Sequence, residues 1–187
     1  MAVKGIHKRA GRAAMATTTL GFMVGLAFLN AGSAQSIGGL CNGQPASHTW
    51  LDASGQPGPA LLDGTGHDDT IVGSDGDDTI DGRGGDDFVC GGAGNDSIAV
   101  EGGNSVVRGD TGDDSISAFN VHSVTLVGDG GNDTLDVGDT VATSYLVGAS
   151  GDDVLIHDGG GHVKMDGGDD FDDCLMGGGD EVANCEY

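Results

Sequence analysis

From Ile71 onward, aliphatic side chains recur in phase every nine positions, at Ile71, Ile80, Val89 and Ile98. Each sits in a short run such as Thr79-Ile80-Asp81, the pattern of a three-residue strand with its middle side chain inward. Glycine-rich stretches separate the runs, and glycine allows tight turns with positive φ and bare carbonyls. Strand, turn, strand, turn is therefore the predicted order of elements.

Divided without gaps, residues 64–99 read GTGHDDTIV, GSDGDDTID, GRGGDDFVC and GGAGNDSIA. Position 1 is glycine throughout (Gly64, Gly73, Gly82, Gly91), and Gly92 adds one at position 2. Position 4 is glycine in three copies (Gly76, Gly85, Gly94), with His67 as the exception. Position 6 is always aspartate: Asp69, Asp78, Asp87 and Asp96. Three further copies follow: GDTGDDSIS from Gly109, GDGGNDTLD from Gly128 and GASGDDVLI from Gly148. They carry Gly112, Gly131 and Gly151 at position 4 and Asp114, Asp133 and Asp153 at position 6. Residues 100–108, 118–127 and 137–147 lack the turn motif. Upstream, GQPGPALLD (55–63) keeps Leu62 in phase but has Ala60 at the aspartate position. Read from Met165, MDGGDDFDD keeps Gly168 and Asp170 in phase and places Asp172 at the aliphatic position.

Two nonapeptides make one flattened coil, so the predicted fold is all-β, a parallel β-roll (right-handed β-helix or solenoid) with two sheets face to face. Motif starts at 73, 91, 109, 128 and 148 are one coil apart. Asp78, Asp96, Asp114, Asp133 and Asp153 then share one edge, continued by Asp170, while Asp69 and Asp87 share the other.

Such a stack is energetically thin. One buried aliphatic side chain contributes roughly 1.5–3 kcal/mol, against about 1–2 kcal/mol for ordering each of nine backbones. Position-6 carboxylates on adjacent coils lie roughly 5 Å apart. At an effective dielectric near 20 they repel by about 3 kcal/mol per pair. A divalent cation between coils reverses that sign. Carboxylate and turn-carbonyl oxygens select a hard ion, and a flexible site favours Ca²⁺ over Mg²⁺. The position-6 aspartates and the turn glycines from Gly73 to Gly151 named above are the expected ligand positions. An EF-hand does not fit, because a loop starting at Asp77 puts Phe88 where the bidentate Glu belongs.

The repeat GGxGxDxUx resembles the RTX, or hemolysin-type, calcium-binding nonapeptide. The resemblance spans about residues 55–173 and is also to small secreted actinobacterial calcium-binding proteins built almost wholly of such repeats. It implies a calcium-bound β-roll, while the expectation that the chain is not an enzyme rests on its lack of HExxH and GxSxG motifs. RTX toxins usually export through an uncleaved C-terminal signal, and this chain departs from that.

Lys4, Lys8, Arg9 and Arg12 precede an apolar run from Leu20 to Leu29 and the small residues AGSA. The expected reading is a signal peptide over 1–34, cleaved after Ala34, and hence a secreted, extracellular protein. That segment holds four of the seven basic residues and none of the thirty acidic ones. The remainder, with three basic residues, is a poor partner for nucleic acid or anionic membranes. Residues 35–63 are expected to cap the first coil, 64–173 to form the β-roll, and 174–187 to cap its far end, since stacked repeats need caps.

In an oxidising compartment the four cysteines are expected to form two disulfides. Spacing pairs Cys174 with Cys185 and leaves Cys41 with Cys90, which an N-terminal segment folded back over the coils could reach. No HExxH or GxSxG motif is present, and scattered histidines read as loop residues, although His157 and His162 could approach each other. The alternative to a calcium-binding protein is an adhesin or cell-surface interaction protein with a polysaccharide or surface partner. It would use a flat polar face that includes Thr70, Thr79, Ser97, Ser115 and Thr134.

Overall fold

The computed structural model describes residues 61–186, preceded by three short strands, β1 (Leu40–Cys41), β2 (Gln44–Pro45) and β3 (His48–Thr49). The expected signal peptide, most of the N-terminal cap and Cys41's disulfide lie outside the described residues. The other strands are β4 (Leu61–Asp63), β5 (Thr70–Val72), β6 (Thr79–Asp81), β7 (Phe88–Ala93), β8 (Ser97–Glu101), β9 (Asn104–Thr111) and β10 (Ser115–Phe119). They continue with β11 (Ser123–Gly130), β12 (Thr134–Val137), β13 (Thr143–Ser150), β14 (Val154–His157), β15 (His162–Asp169), β16 (Asp173–Leu175) and β17 (Glu181–Ala183).

Even-numbered strands from β4 to β16 form a seven-stranded sheet and odd-numbered strands from β3 to β17 an eight-stranded one. Every neighbouring pair in both sheets is parallel. The chain alternates between sheets at each step, which makes it a β-solenoid of the right-handed type, as the nine-residue period predicts.

The register is what the phase of the aliphatic residues requires. In the seven-stranded sheet Leu62, Ile80, Ile98, Ile116, Leu135, Leu155 and Cys174 stack on one another. Across from them stand Ile71, Val89, Val107, Leu126, Leu146, Met165 and Val182. These two columns, with smaller contributions such as Val100, Ala118 and Val137, are the core. Because strand side chains alternate between faces, a one-residue slip would turn a whole column out to water, so the register is strongly specified.

Residues 100–108, 118–127 and 137–147, which lack the turn motif, still supply strands. Strands β9, β11, β13 and β15 each run to eight residues, ending in the first three positions of the following glycine turn. Pairing also continues past both expected limits of the repeat array, through β4 at one end and β16 and β17 at the other.

Cys174 and Cys185 are joined, with Cα atoms 5.9 Å apart. Cys174 occupies the last place of an inward column, so the bridge closes the end of the core. Cys90 is disulfide-bonded too, and its partner lies outside the described residues. Its position in the strand points away from the core, yet it is buried, with β1 lying beside β5 and β7.

Candidate metal centre

One edge of the solenoid is a column of aspartates. The main-chain N–H of each donates to Oδ1 of the aspartate one coil further on: Asp78 to Asp96, Asp96 to Asp114, Asp114 to Asp133 and Asp133 to Asp153, all at 2.8 Å. The last step runs from Asp153 to Asp172 at 3.0 Å. Asp170 is therefore not the continuation of the column. Counted from Gly167, the segment reads GGDDFDDCL, with Asp172 at position 6 and Cys174 at the aliphatic position. Asp170 falls at position 4, where its φ of 78° matches the positive φ of Gly94, Gly112, Gly131 and Gly151 at the same place in their turns. Burial forces this phase, because the alternative would push the Asp172 carboxylate into the aliphatic column.

The opposite edge begins in the same way and then changes chemistry. Asp69 N–H donates to Asp87 Oδ1 at 3.0 Å, but Asp87 N–H donates to the Ser105 hydroxyl at 3.1 Å. Two coils later, Val124 N–H donates to the Ser144 hydroxyl. Serine accepts the same hydrogen bond without bringing a charge inward. Nothing in the nonapeptide pattern flags Ser105 or Ser144; their spacing from Asp87 along the edge is the signal that could have found them.

A second, outer ladder at position 5 runs in the opposite sense. Asn95 N–H donates to Asp77, Asp113 to Asn95, Asn132 to Asp113 and Asp152 to Asn132, at 2.8 to 3.0 Å. Aspartate and asparagine alternate along it, so carboxylates in this ladder are two coils apart.

The inner column holds the unusual chemistry. Five of its carboxylate oxygens, Oδ2 of Asp96, Asp114, Asp133, Asp153 and Asp172, are buried without a hydrogen-bond partner, and so is Oδ2 of Asp87 on the opposite edge. Their turns share a backbone feature. The residue at position 2 has positive φ in each: Arg83, Gly92, Asp110, Asp129, Ala149 and Gly168. In the two earliest turns it does not. There Thr65 N–H donates to Asp69 Oδ2 at 2.7 Å, and Ser74 N–H to Asp78 Oδ2 at 2.6 Å. The positive φ at position 2 thus accompanies the loss of the local donor. Leaving buried oxygens unsatisfied costs about 1–3 kcal/mol each, and adopting left-handed φ at non-glycine residues adds to that cost.

A second acceptor faces each orphan on this edge. A Cβ placed on Gly91 would strike both Asp96 Oδ2 and the Gly109 carbonyl. The same pairing recurs at Gly109, Gly128 and Gly148, each time with the carbonyl of the next coil's position-1 glycine. Glycine is required here for close approach, because one added methyl would meet both the carboxylate and the carbonyl oxygen. The three basic side chains among the described residues are engaged elsewhere, Arg83 with Asp63, Arg108 with Asp129 and Lys164 with Glu181. Burial, followed by neighbouring carboxylates, raises Asp96 to about 7 and Asp114, Asp133 and Asp153 to about 6; Asp87 and Asp172 are raised as well.

Among the described residues no three His, Cys, Asp or Glu side chains converge as a metal cluster. The donor set is different, one carboxylate per coil with main-chain carbonyls, all oxygen. It fits a hard cation such as Ca²⁺. The family model of the RTX calcium-binding nonapeptide repeat (4 copies) matches residues 63–98, 99–120 and 124–139. Those stretches carry RTX calcium-binding repeats. No curated protein and no solved structure matched the chain. The RTX match ends at residue 139, whereas the aspartate column runs on to Asp172.

Proposed function

We propose that this chain is a secreted calcium-binding protein whose β-roll is completed by the metal. The observation that carries the reading is the set of six buried, partnerless carboxylate oxygens, each in a turn whose backbone gives up its own donor. The residues that would hold calcium are Asp87, Asp96, Asp114, Asp133, Asp153 and Asp172 through Oδ2, with the position-1 carbonyls of Gly109, Gly128, Gly148 and Gly167 from the following coils. Calcium supplies positive charge where successive coils otherwise present only acceptors. Asp69 and Asp78, satisfied by Thr65 and Ser74, make the first turns independent of it.

Secretion is supported by the basic, apolar and small-residue succession of the first 34 residues. The Cys174–Cys185 disulfide is of the kind that persists in oxidising compartments. In such a setting the expected affinity is weak, on the order of 10⁻⁴–10⁻³ M. Circular dichroism in chelator, followed by calcium titration, tests the reading. A gain of β signal on adding calcium is expected, and an unchanged β-rich spectrum in chelator overturns it.

A second reading, a surface interaction protein with a calcium-stiffened scaffold, draws on the stacked outward column Thr79, Ser97, Ser115 and Thr134. Thr70 lies in the other sheet, beside Phe88. Calcium-dependent retention on cell-wall polysaccharide, lost when that column is replaced by lysine, would favour it.

A further inference from the structure

We propose that the C-terminal tail, Asn184 to Glu186, stands in for a missing coil and closes one more divalent-cation site against Asp172. The inference rests on the calcium reading above and names a site beyond the matched repeats.

Asp172 is fully buried, and its Oδ2 has no partner. In every earlier coil of this edge the aspartate N–H finds the next coil's aspartate; among the described residues no aspartate takes that place after Asp172. Its N–H donates instead to Glu186 Oε2 at 2.9 Å. Glu186 N–H in turn donates to the Asp172 carbonyl at 2.8 Å, the bond Asp173 N–H makes to the Asp153 carbonyl one coil earlier. The third correspondence is the carbonyl. A Cβ on Gly148 would meet Asp153 Oδ2 and the Gly167 carbonyl, and one on Gly167 would meet Asp172 Oδ2 and the Asn184 carbonyl. Three contacts of a coil are thus reproduced by two residues, Asn184 and Glu186.

The tail reaches this place by a short route. Asp172 and Glu186 are 14 residues apart, against 18 to 20 between neighbouring aspartates of the column. Glutamate's extra methylene lengthens the arm that replaces aspartate. Between the two acceptors lies Cys185, tied to Cys174 at the end of the inward column, which pins Asn184 and Glu186 at the edge. The ligands so assembled are the Asp172 carboxylate, the Asn184 carbonyl and the Glu186 carboxylate, a hard oxygen set suited to calcium.

Equilibrium dialysis against saturating calcium, with bound metal counted, tests this on the oxidised full chain. The comparison is between wild type, Glu186→Gln and Glu181→Gln. Glutamine at 186 keeps an oxygen for the Asp172 N–H, so the fold persists and circular dichroism verifies it. Glu186→Gln should bind one ion fewer than wild type, while Glu181→Gln, which removes a charge from the same tail, binds the wild-type number. Equal counts in all three, or an equal fall in both variants, overturns the terminal site. A wild type that binds no calcium overturns the calcium reading together with it, and so the two failures are distinguishable.

Discussion

The main-chain N–H of Asp96 donates to Oδ1 of Asp114 at 2.8 Å, while Oδ2 of the same Asp114 carboxylate lies buried against Gly109 with no donor. One oxygen fastens two coils; the other faces the Gly128 carbonyl, acceptor to acceptor. The two halves of this side chain make opposite contributions to the metal-free fold, and that division leads to measurable differences between aspartates.

Asp114→Asn should raise the stability of the metal-free protein and lower its calcium content. The asparagine oxygen keeps the bond from Asp96, and its NH₂ supplies a donor where Oδ2 faces the Gly128 carbonyl, worth about 1 kcal/mol. Asp69→Asn should act in the opposite direction, because Asp69 Oδ2 already accepts from the Thr65 N–H and hydroxyl. Replacing that acceptor costs about 1–3 kcal/mol. Thermal melts in chelator and calcium counts for both variants check this; equal effects would mean that only net charge matters.

Acid should substitute for metal. Asp96 is raised to about 7 and Asp114, Asp133 and Asp153 to about 6, from an ordinary value of 3.8. A carboxylate whose pKa is raised by folding binds more protons folded than unfolded. Its contribution is present in full below the unfolded value and is lost as pH rises through the folded one. The metal-free β-roll should therefore gain stability as pH falls from about 7 toward 4, and calcium binding near neutrality should release protons. Circular dichroism of metal-free protein across that range, and calorimetry in buffers of different ionisation enthalpy, measure both effects.

Two glycines of the repeat turns should differ sharply. At Gly109 an added methyl meets Asp114 Oδ2 and the Gly128 carbonyl, whereas at Gly66 it meets nothing within 4 Å. Gly109→Ala should prevent coil stacking or cost roughly 2 kcal/mol or more through overpacking and displaced backbone. Gly66→Ala should be neutral to within about 0.5 kcal/mol, the usual range for an unobstructed surface change. Denaturant melts in saturating calcium compare them.

Ala149 holds a φ of 89° at position 2, where Gly92 and Gly168 stand in equivalent turns. Ala149→Gly should stabilise the protein by about 1 kcal/mol, since left-handed backbone costs roughly 1–2 kcal/mol for a residue with Cβ. A lower melting temperature would show that chain entropy outweighs the relief of strain.

The nine-residue phase of Ile71, Ile80, Val89 and Ile98, and the aspartate two places before each, are properties of the sequence that determined the strand positions, the inward columns and the two-edge asymmetry. They could do so because each coil touches only its neighbours, which lets a local period propagate directly into architecture. Where the period blurs, only the tertiary structure decided. The acidic run DGGDDFDD admits two phases, and burial chose the one that puts Cys174 inside and Asp172 on the edge, leaving Asp170 in the turn. Which Oδ2 atoms are left without a donor depended on the sign of φ at position 2, where arginine, aspartate, alanine and glycine all adopt the positive value that Thr65 and Ser74 do not. The role of Glu186 depended on where the chain turns back, since a carboxylate outside any repeat meets the aspartate column only where the tail, tied through Cys185 to Cys174, lies against it.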